Sequence, residues 1–196
     1  MVDLRGAYFA NLSLVESIKL ICYLNSNWKL KCHRLDVAID DYSKELFPVV
    51  KMALACQQKL HRGFKSYDLD YFKPTLDGWE GSIAFASRRS EHYVRVYTNH
   101  ELFYRLEAEL KQGKSQKLFD ILASLGKDKT DSELPLETIL EALINAALGK
   151  IDFRSKSSSS SPKNAAKERT NQLPFWKKTK DTIFASIQNI ADSNYE

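Results

Sequence analysis

The chain has 196 residues, of which 43% are hydrophobic and 28% charged, a balance typical of one soluble domain with an appendage. No apolar run approaches the roughly 20 residues that span a bilayer. The N-terminus lacks the basic-then-apolar pattern of a signal peptide. These features predict a cytoplasmic protein without a membrane partner. The three cysteines form no CxxC pair and the four histidines show no HxH or HExxH spacing, which argues against a zinc site. A metal site built from carboxylates would favour Mg²⁺ or Mn²⁺.

The net charge of +4 is unevenly distributed along the chain. From Lys150 to Lys180 there are nine Lys or Arg residues against two acids, Asp152 and Glu168. A basic tail on a nearly neutral body favours a polyanionic partner, and a merely solvated tail is the alternative interpretation.

Hydrophobic periodicity and breaker residues predict an α+β chain. Helices are expected over residues 14–24, 44–61, 115–125 and 136–148. Strands are expected over residues 28–41, 64–73 and 79–87, with a turn at 74–78 and then a hairpin at 91–111 that turns at 98–101. This order predicts a mostly antiparallel sheet with helices packed on one face and a polar opposite face.

The region after residue 154 has a different composition. Residues 155–172 contain five consecutive serines, and charged residues follow them, so this segment has almost nothing to bury and is predicted to be a flexible linker. It would separate a main domain at residues 1–154 from a C-terminal amphipathic helix in residues 173–196.

The three best-patterned strands are expected to share one polar face, because side chains on a strand alternate between faces. Val94, Val96 and Leu106 fall on the apolar side of the hairpin. The polar side is predicted to carry Asp36 and Asp40 from the first strand, Arg95 and Tyr97 from the second, and Arg105, Glu107 and Glu109 from the third.

Carboxylates gathered beside a tyrosine suggest a specific chemistry. A divalent cation on Asp36, Asp40 and Glu107 would relieve their mutual repulsion and polarise a phosphate. Tyr97 would then attack phosphorus, which is the chemistry of nicking and joining DNA. The alternative is a packing tyrosine among ordinary cross-strand ion pairs. Asp41 has the opposite parity and is expected to cap a helix.

Four short motifs, in order, resemble the replication initiation factors of rolling-circle plasmids and filamentous phages, the Rep-trans family. Residues 34–41 (RLDVAIDD) are similar to that family's R-x-D-x-A-x-D-D strand, and residues 81–90 (GSIAFASRRS) to its small-residue strand ending in G-S-R-x-S. Residues 94–97 (VRVY) are similar to its V-R-x-Y strand, and residues 104–110 (YRLEAEL) to its R-x-E-x-E-L strand. The similarity extends from about Leu4 to Trp176.

The resemblance implies a DNA-nicking initiator whose polar sheet face meets DNA. Tyr97 would attack one strand at the origin and leave a free 3′-hydroxyl, while Asp36, Asp40 and Glu107 would hold Mg²⁺ or Mn²⁺. The implied DNA contacts are Arg34, Arg88, Arg89, Arg95 and Arg105, although a solvated turn is an equal alternative for Arg88 and Arg89. The implied partners are single-stranded or cruciform origin DNA, a host helicase and a second copy of the chain. The family usually has a further N-terminal segment before the region at Val2–Leu4, so an inactive or truncated form is an alternative.

Two other functions remain open at this point. A DNA-binding regulator on the same scaffold would use the basic tail and the arginines without needing the Tyr97 hydroxyl. A generic α+β domain would have no affinity for nucleic acid, and salt-dependent binding to single-stranded DNA would exclude it.

Overall fold

A sheet and a layer of helices make up the part of the chain that the structure, a computed structural model, describes: residues 12–75, 78–99, 102–155 and 171–193. The helices are α1 (Leu14–Trp28), α2 (Val49–Gln57), α3 (Gly113–Gly126), α4 (Leu136–Leu148) and α5 (Pro174–Ser193), with a short 3₁₀ turn at Asp131–Glu133. The strands are β1 (Arg34–Asp41), β2 (His61–Arg62), β3 (Tyr67–Thr75), β4 (Gly78–Phe85), β5 (His92–Asn99), β6 (Phe103–Lys111) and β7 (Asp152–Phe153).

The main sheet has five strands in the order β1-β6-β5-β4-β3, and every neighbouring pair is antiparallel. Leu106 of β6 lies between Ile39 of β1 and Val96 of β5. Because period-2 alternation puts such residues on one side, this face is apolar and buried, with Leu106 fully inaccessible to solvent. The predicted α+β fold is confirmed.

The helical layer covers the apolar face. Ile18 and Ile21 of α1 belong to the same core as Ile83 and Val94 of the sheet. Leu122 of α3 completes this set. No helix in the described ranges is long and apolar enough to cross a membrane.

The C-terminal helix α5 packs into the same core. The Trp176 side chain is fully buried, its ring centroid lies 5.2 Å from that of Phe153, and its Nε1 donates a hydrogen bond to the Ile151 carbonyl at 3.2 Å. Most of the predicted linker lies outside the described residues. Its two ends meet where the Ser155 amide donates to the Asn171 carbonyl at 2.9 Å.

Several predicted boundaries were wrong. The first helix continues to Trp28 and ends at Lys29, which has φ 46° and an amide that donates to the Asn25 carbonyl. The next strand therefore starts at Arg34. The second helix is shorter than predicted, because Pro48 lies at its N-cap and not inside its first turn.

The structure also differs from the prediction after the second helix. Pro74 and Thr75, predicted to turn, continue β3. The small antiparallel pair of β2 and β7 was not predicted. Two-residue strands have no readable alternation, so periodicity does not find them.

Candidate active site

Tyr97 lies on the polar face of the sheet, as its strand parity predicts. Along the row that crosses the strands at this point, Tyr97 of β5 is paired with Arg105 of β6 and Ser82 of β4. Arg105 is in turn paired with Asp40 of β1, and Ser82 with Asp70 of β3. Directly paired residues project to the same side of a sheet, so these five side chains form one line across the polar face.

The Tyr97 hydroxyl is hydrogen-bonded to the carboxylate of Glu107. Its Oη donates a hydrogen bond to Glu107 Oε2 at 2.8 Å. The Arg95 guanidinium lies 4.1 Å from the centroid of the Tyr97 ring, and one of its nitrogens is 3.4 Å from the same Glu107 oxygen. The three residues form a compact unit in which a phenol, a proton acceptor and a cation touch.

The pKa of Tyr97 is raised above its ordinary value. Burial contributes most, followed by the hydrogen bond to Glu107 and the charge of that carboxylate, while Arg95 and Arg105 act in the opposite direction. The phenol is therefore held protonated. The proton must leave as the oxygen becomes a nucleophile, and Glu107 is already positioned to accept it.

The Asp40 carboxylate is hydrogen-bonded to Arg105. Arg105 donates from Nε to Asp40 Oδ1 at 2.6 Å and from Nη2 to Asp40 Oδ2 at 2.7 Å. This two-point contact is the geometry in which a guanidinium matches a carboxylate. The hydrogen bonds to Asp40 are the largest cause of a raised Arg105 pKa.

Asp36 belongs to a second group at the other end of β1. Arg34 donates from Nε to its Oδ1 at 2.8 Å and from Nη2 to its Oδ2 at 2.7 Å. The same guanidinium lies 3.5 Å from Glu109, which also accepts a contact from Lys111 at 3.0 Å. Asp36 is therefore held by an arginine that also contacts Glu109, and Glu109 lies two residues along β6 from Glu107 of the Tyr97 unit.

The three predicted metal ligands do not meet. Asp36 and Asp40 are four residues apart on one strand, about 13 Å at ~3.3 Å per residue, and one Mg²⁺ with oxygen ligands at about 2 Å does not reach both short side chains. Among the described residues, no group of three or more His, Cys, Asp or Glu side chains is placed to hold a metal ion. Asp36, Asp40 and Glu107 in this arrangement do not fit a single ion, and the metal requirement stays a prediction.

The two remaining predicted DNA contacts lie outside the strands of this face. Arg88 and Arg89 are exposed in the loop between β4 and β5, and the Arg88 carbonyl accepts a hydrogen bond from Lys111 Nζ. Asp41 lies off the polar face, as its parity predicts, and is buried. The prediction that it caps a helix is wrong, because its carboxylate organises a loop. Its carboxylate accepts from Ser43 Oγ at 2.7 Å and from the Phe47 amide at 2.9 Å.

Two exposed tyrosines near this face were not predicted. Tyr42 is the first residue after β1, and Tyr71 lies in the irregularity of β3 between Asp70 and Lys73. Strand alternation predicts that Tyr71 shares a side with Tyr67 and Leu69, which pack against the core. That prediction is wrong, because the register shifts between Asp70 and Lys73 and Tyr71 is exposed. Tyr42 follows the end of β1, so alternation does not assign its side chain. An aromatic residue next to a break in the alternation is the only signal that the sequence offers.

The chain has structural similarity to a rolling circle replication initiator protein from Geobacillus stearothermophilus. The two are 21% identical with a TM-score of 0.60, and the alignment covers 86% of this chain and 62% of that one. This chain thus spans less than two thirds of the length of that initiator protein. No protein-family model matches the chain, and no curated protein does. At this level of identity the similarity establishes the fold: the chain has the fold of a rolling circle replication initiator protein.

Proposed function

We propose that the protein is a rolling-circle replication initiator that nicks and rejoins one strand of DNA at a replication origin through Tyr97. The observation that carries the proposal is the hydrogen bond from Tyr97 Oη to Glu107 Oε2, at 2.8 Å. It lies on the polar face of the main sheet, and the chain has the fold of a rolling circle replication initiator protein. A phenol that donates a hydrogen bond to a carboxylate can act as a nucleophile, with the carboxylate as its general base.

The chemical step is a transesterification. The Tyr97 oxygen forms a bond to the phosphorus of one phosphodiester, and its proton passes to Glu107. The bond between phosphorus and the 3′ oxygen breaks, and that oxygen leaves as a hydroxyl after it takes a proton from solvent. The product is a phosphotyrosyl link to the 5′ side of the nick, and attack by a 3′-hydroxyl reverses the reaction and joins the strand.

Arg95 is suited to hold the phosphate during this step. Its guanidinium lies next to both the phenol and Glu107, and 29% of its side chain is accessible to solvent. A fixed positive charge next to the reacting phosphate stabilises the charge that develops on the phosphoryl oxygens. The predicted Mg²⁺ or Mn²⁺ is assigned no step, because the three acids do not meet. The helicase and homodimer stay predictions.

The test is a search for a covalent protein–DNA adduct. A random-sequence pool of 3′-end-labelled single-stranded DNA is incubated with the protein and Mn²⁺, and the mixture is separated on a denaturing gel. We expect labelled protein from the parent and none from Tyr97→Phe. Tyr93→Phe is the matched control, because Tyr93 lies on the same strand and face opposite Glu109, and it should form the adduct as the parent does.

A second candidate function is a DNA-binding regulator without nicking activity. It is favoured by the ion pairs that Asp36 and Asp40 form with arginines, since these acids are then not available to a metal. This function predicts salt-dependent binding to DNA, equal binding by the parent and by Tyr97→Phe, and no adduct from either protein.

A further inference from the structure

Two solvent-exposed tyrosines flank Tyr97 on opposite edges of the sheet. Tyr42, next to edge strand β1, is 72% exposed, and Tyr71, in edge strand β3, is 61% exposed. We propose that single-stranded DNA crosses the sheet at right angles to its strands along the Tyr97 row, and that its bases stack on Tyr42 on one side and on Tyr71 on the other. This inference rests on the proposed function for the identity of the ligand.

The Tyr42 ring packs on a buried aromatic ring, which leaves it in place to stack with a base. Its ring centroid lies 4.8 Å from that of Phe103, which is only 8% exposed. The loop that carries Tyr42 is fixed by the buried carboxylate of Asp41, which accepts hydrogen bonds from Ser43 and Phe47. An aromatic ring that is supported on one side and open to solvent elsewhere loses little conformational freedom when a base stacks on it.

Tyr71 is presented by a break in the regularity of β3. Its φ angle is 44°, in the left-handed region, and the pairing register shifts between Asp70 and Lys73. The facing residue is Gly81, where an added Cβ would lie 2.1 Å from the Tyr71 carbonyl oxygen. A residue without a side chain therefore allows the backbone of the bulge to approach, and the bulge turns Tyr71 out of the regular alternation.

One cation lies close to Tyr71, and another lies close to Phe103, the ring on which Tyr42 packs. The Arg105 guanidinium lies 5.3 Å from the centroid of Phe103, on which Tyr42 packs. The Lys73 ammonium lies 5.3 Å from the Tyr71 centroid and 2.6 Å from Glu80. Aromatic rings alternating with positive charges are the arrangement that binds single strands, because bases stack while phosphates meet the cations. Paired bases of a duplex do not expose their faces to such rings.

The spacing of the three tyrosines suits a single strand. One strand separates β1 from β5, and another separates β3 from β5, so each exposed tyrosine lies about 10 Å to one side of Tyr97 at ~4.8 Å between neighbouring strands. Stacked nucleotides advance by ~3.4 Å. Because Tyr42 also lies two residues beyond Asp40 of the Tyr97 row, about 7 Å along the strand direction, each stacking position is within about four nucleotides of the phosphate that Tyr97 would attack.

The test measures binding without chemistry, so every variant carries Tyr97→Phe. Fluorescence anisotropy with labelled single-stranded oligo(dT) gives Kd at one salt concentration. Loss of one stacked base costs about 1–3 kcal/mol, so we expect Tyr42→Ala and Tyr71→Ala each to raise Kd by about 5- to 150-fold. Tyr42→Phe and Tyr71→Phe should bind like the Tyr97→Phe parent, because a phenyl ring stacks as well.

Tyr23→Ala is the control for removal of an exposed tyrosine. Tyr23 is 57% exposed on α1, in the helical layer on the other side of the sheet, and its removal should leave Kd unchanged. Binding by Tyr42→Ala and Tyr71→Ala equal to that of Tyr23→Ala would overturn the stacking proposal and leave the proposed function intact. Absence of oligo(dT) binding by the Tyr97→Phe parent would overturn both.

Discussion

Arg105 and Asp40 face each other across β6 and β1 and are joined by two hydrogen bonds, at 2.6 and 2.7 Å. Their side chains are 30% and 24% accessible to solvent, so both charges are partly removed from water. The pair fixes the Arg105 guanidinium in the row that also contains Tyr97. The pair therefore connects strand β1 to the residue that faces Tyr97, the candidate nucleophile.

Loss of this contact is expected to destabilise the protein. Asp40→Asn leaves the Arg105 guanidinium without its charged acceptor, and hydrogen bonds to charged groups contribute about 1.5–3 kcal/mol each when buried. Because the pair is partly exposed, we expect the free energy of unfolding in urea to fall by about 1–2 kcal/mol. Asp68→Asn, which changes an exposed acid of β3, should leave it unchanged. Equal stability of the two variants would mean that the pair contributes nothing.

Replacement of Glu107 tests its role as proton acceptor. Glu107→Gln keeps a polar side chain next to Tyr97 but removes its basicity, and general base catalysis contributes about 10²- to 10⁴-fold. We expect the rate of adduct formation to fall by at least about 100-fold with oligo(dT) binding retained. Glu109→Gln is the matched control, because Glu109 lies on the same strand and face but contacts Arg34 and Lys111. Equal rates for the two variants would remove Glu107 from the proposed step.

The sequence predicts which face a residue occupies better than it predicts its partner. Alternation correctly assigns Tyr97 and Glu107 to the polar side and Leu106 to the core. Which residues face each other depends on the pairing register of the strands, which places Asp36 opposite Glu109 and Asp40 opposite Arg105. Parity is the same for each of these side chains, so it does not reveal which acid meets which arginine.

Local signals also failed where tertiary packing overrides them. Asn25 and Asn27 are poor helix formers, yet α1 continues through them to Trp28. The helix belongs to the common core through Ile18 and Ile21, and burial of that face outweighs a few tenths of a kcal/mol of unfavourable propensity per residue. In helix α4 the apolar pattern and the flanking residues Pro135 and Gly149 indicate the same start and end, and the helix has the predicted bounds.

Replacing two glycines with alanine compares a position where the backbone requires glycine with a position where it does not. Gly81→Ala would put a Cβ against the Tyr71 carbonyl at a φ of 152°, so we expect a loss of more than about 1 kcal/mol in the free energy of unfolding. Gly113→Ala lies in the first turn of α3, where no other described residue comes within 4 Å of the added Cβ, and it should stabilise the protein by up to about 1 kcal/mol. Urea unfolding measures both; a neutral Gly81→Ala would contradict the constraint on the bulge.

His92 is a buried histidine that the proposed chemistry does not use. It is 8% exposed, with its ring 5.5 Å from that of Phe64, and its Nε2 has no hydrogen-bond partner in the described part of the chain. Burial, followed by the positive charges of Lys150 and Lys114, lowers its pKa to about 4. The ring is therefore neutral in the folded protein at neutral pH.

His92 should make the protein less stable as the pH falls from about 6.5 to about 4. In this window the unfolded chain, whose histidine has a pKa near 6.5, takes up a proton that the folded protein does not bind, so acid favours unfolding by up to about 3 kcal/mol. The full contribution is present above pH 6.5. We expect His92→Gln to show a shallower loss of unfolding free energy than the parent between pH 6.5 and 5, measured with urea. Identical slopes for the two proteins would show that His92 titrates alike in the folded and unfolded states.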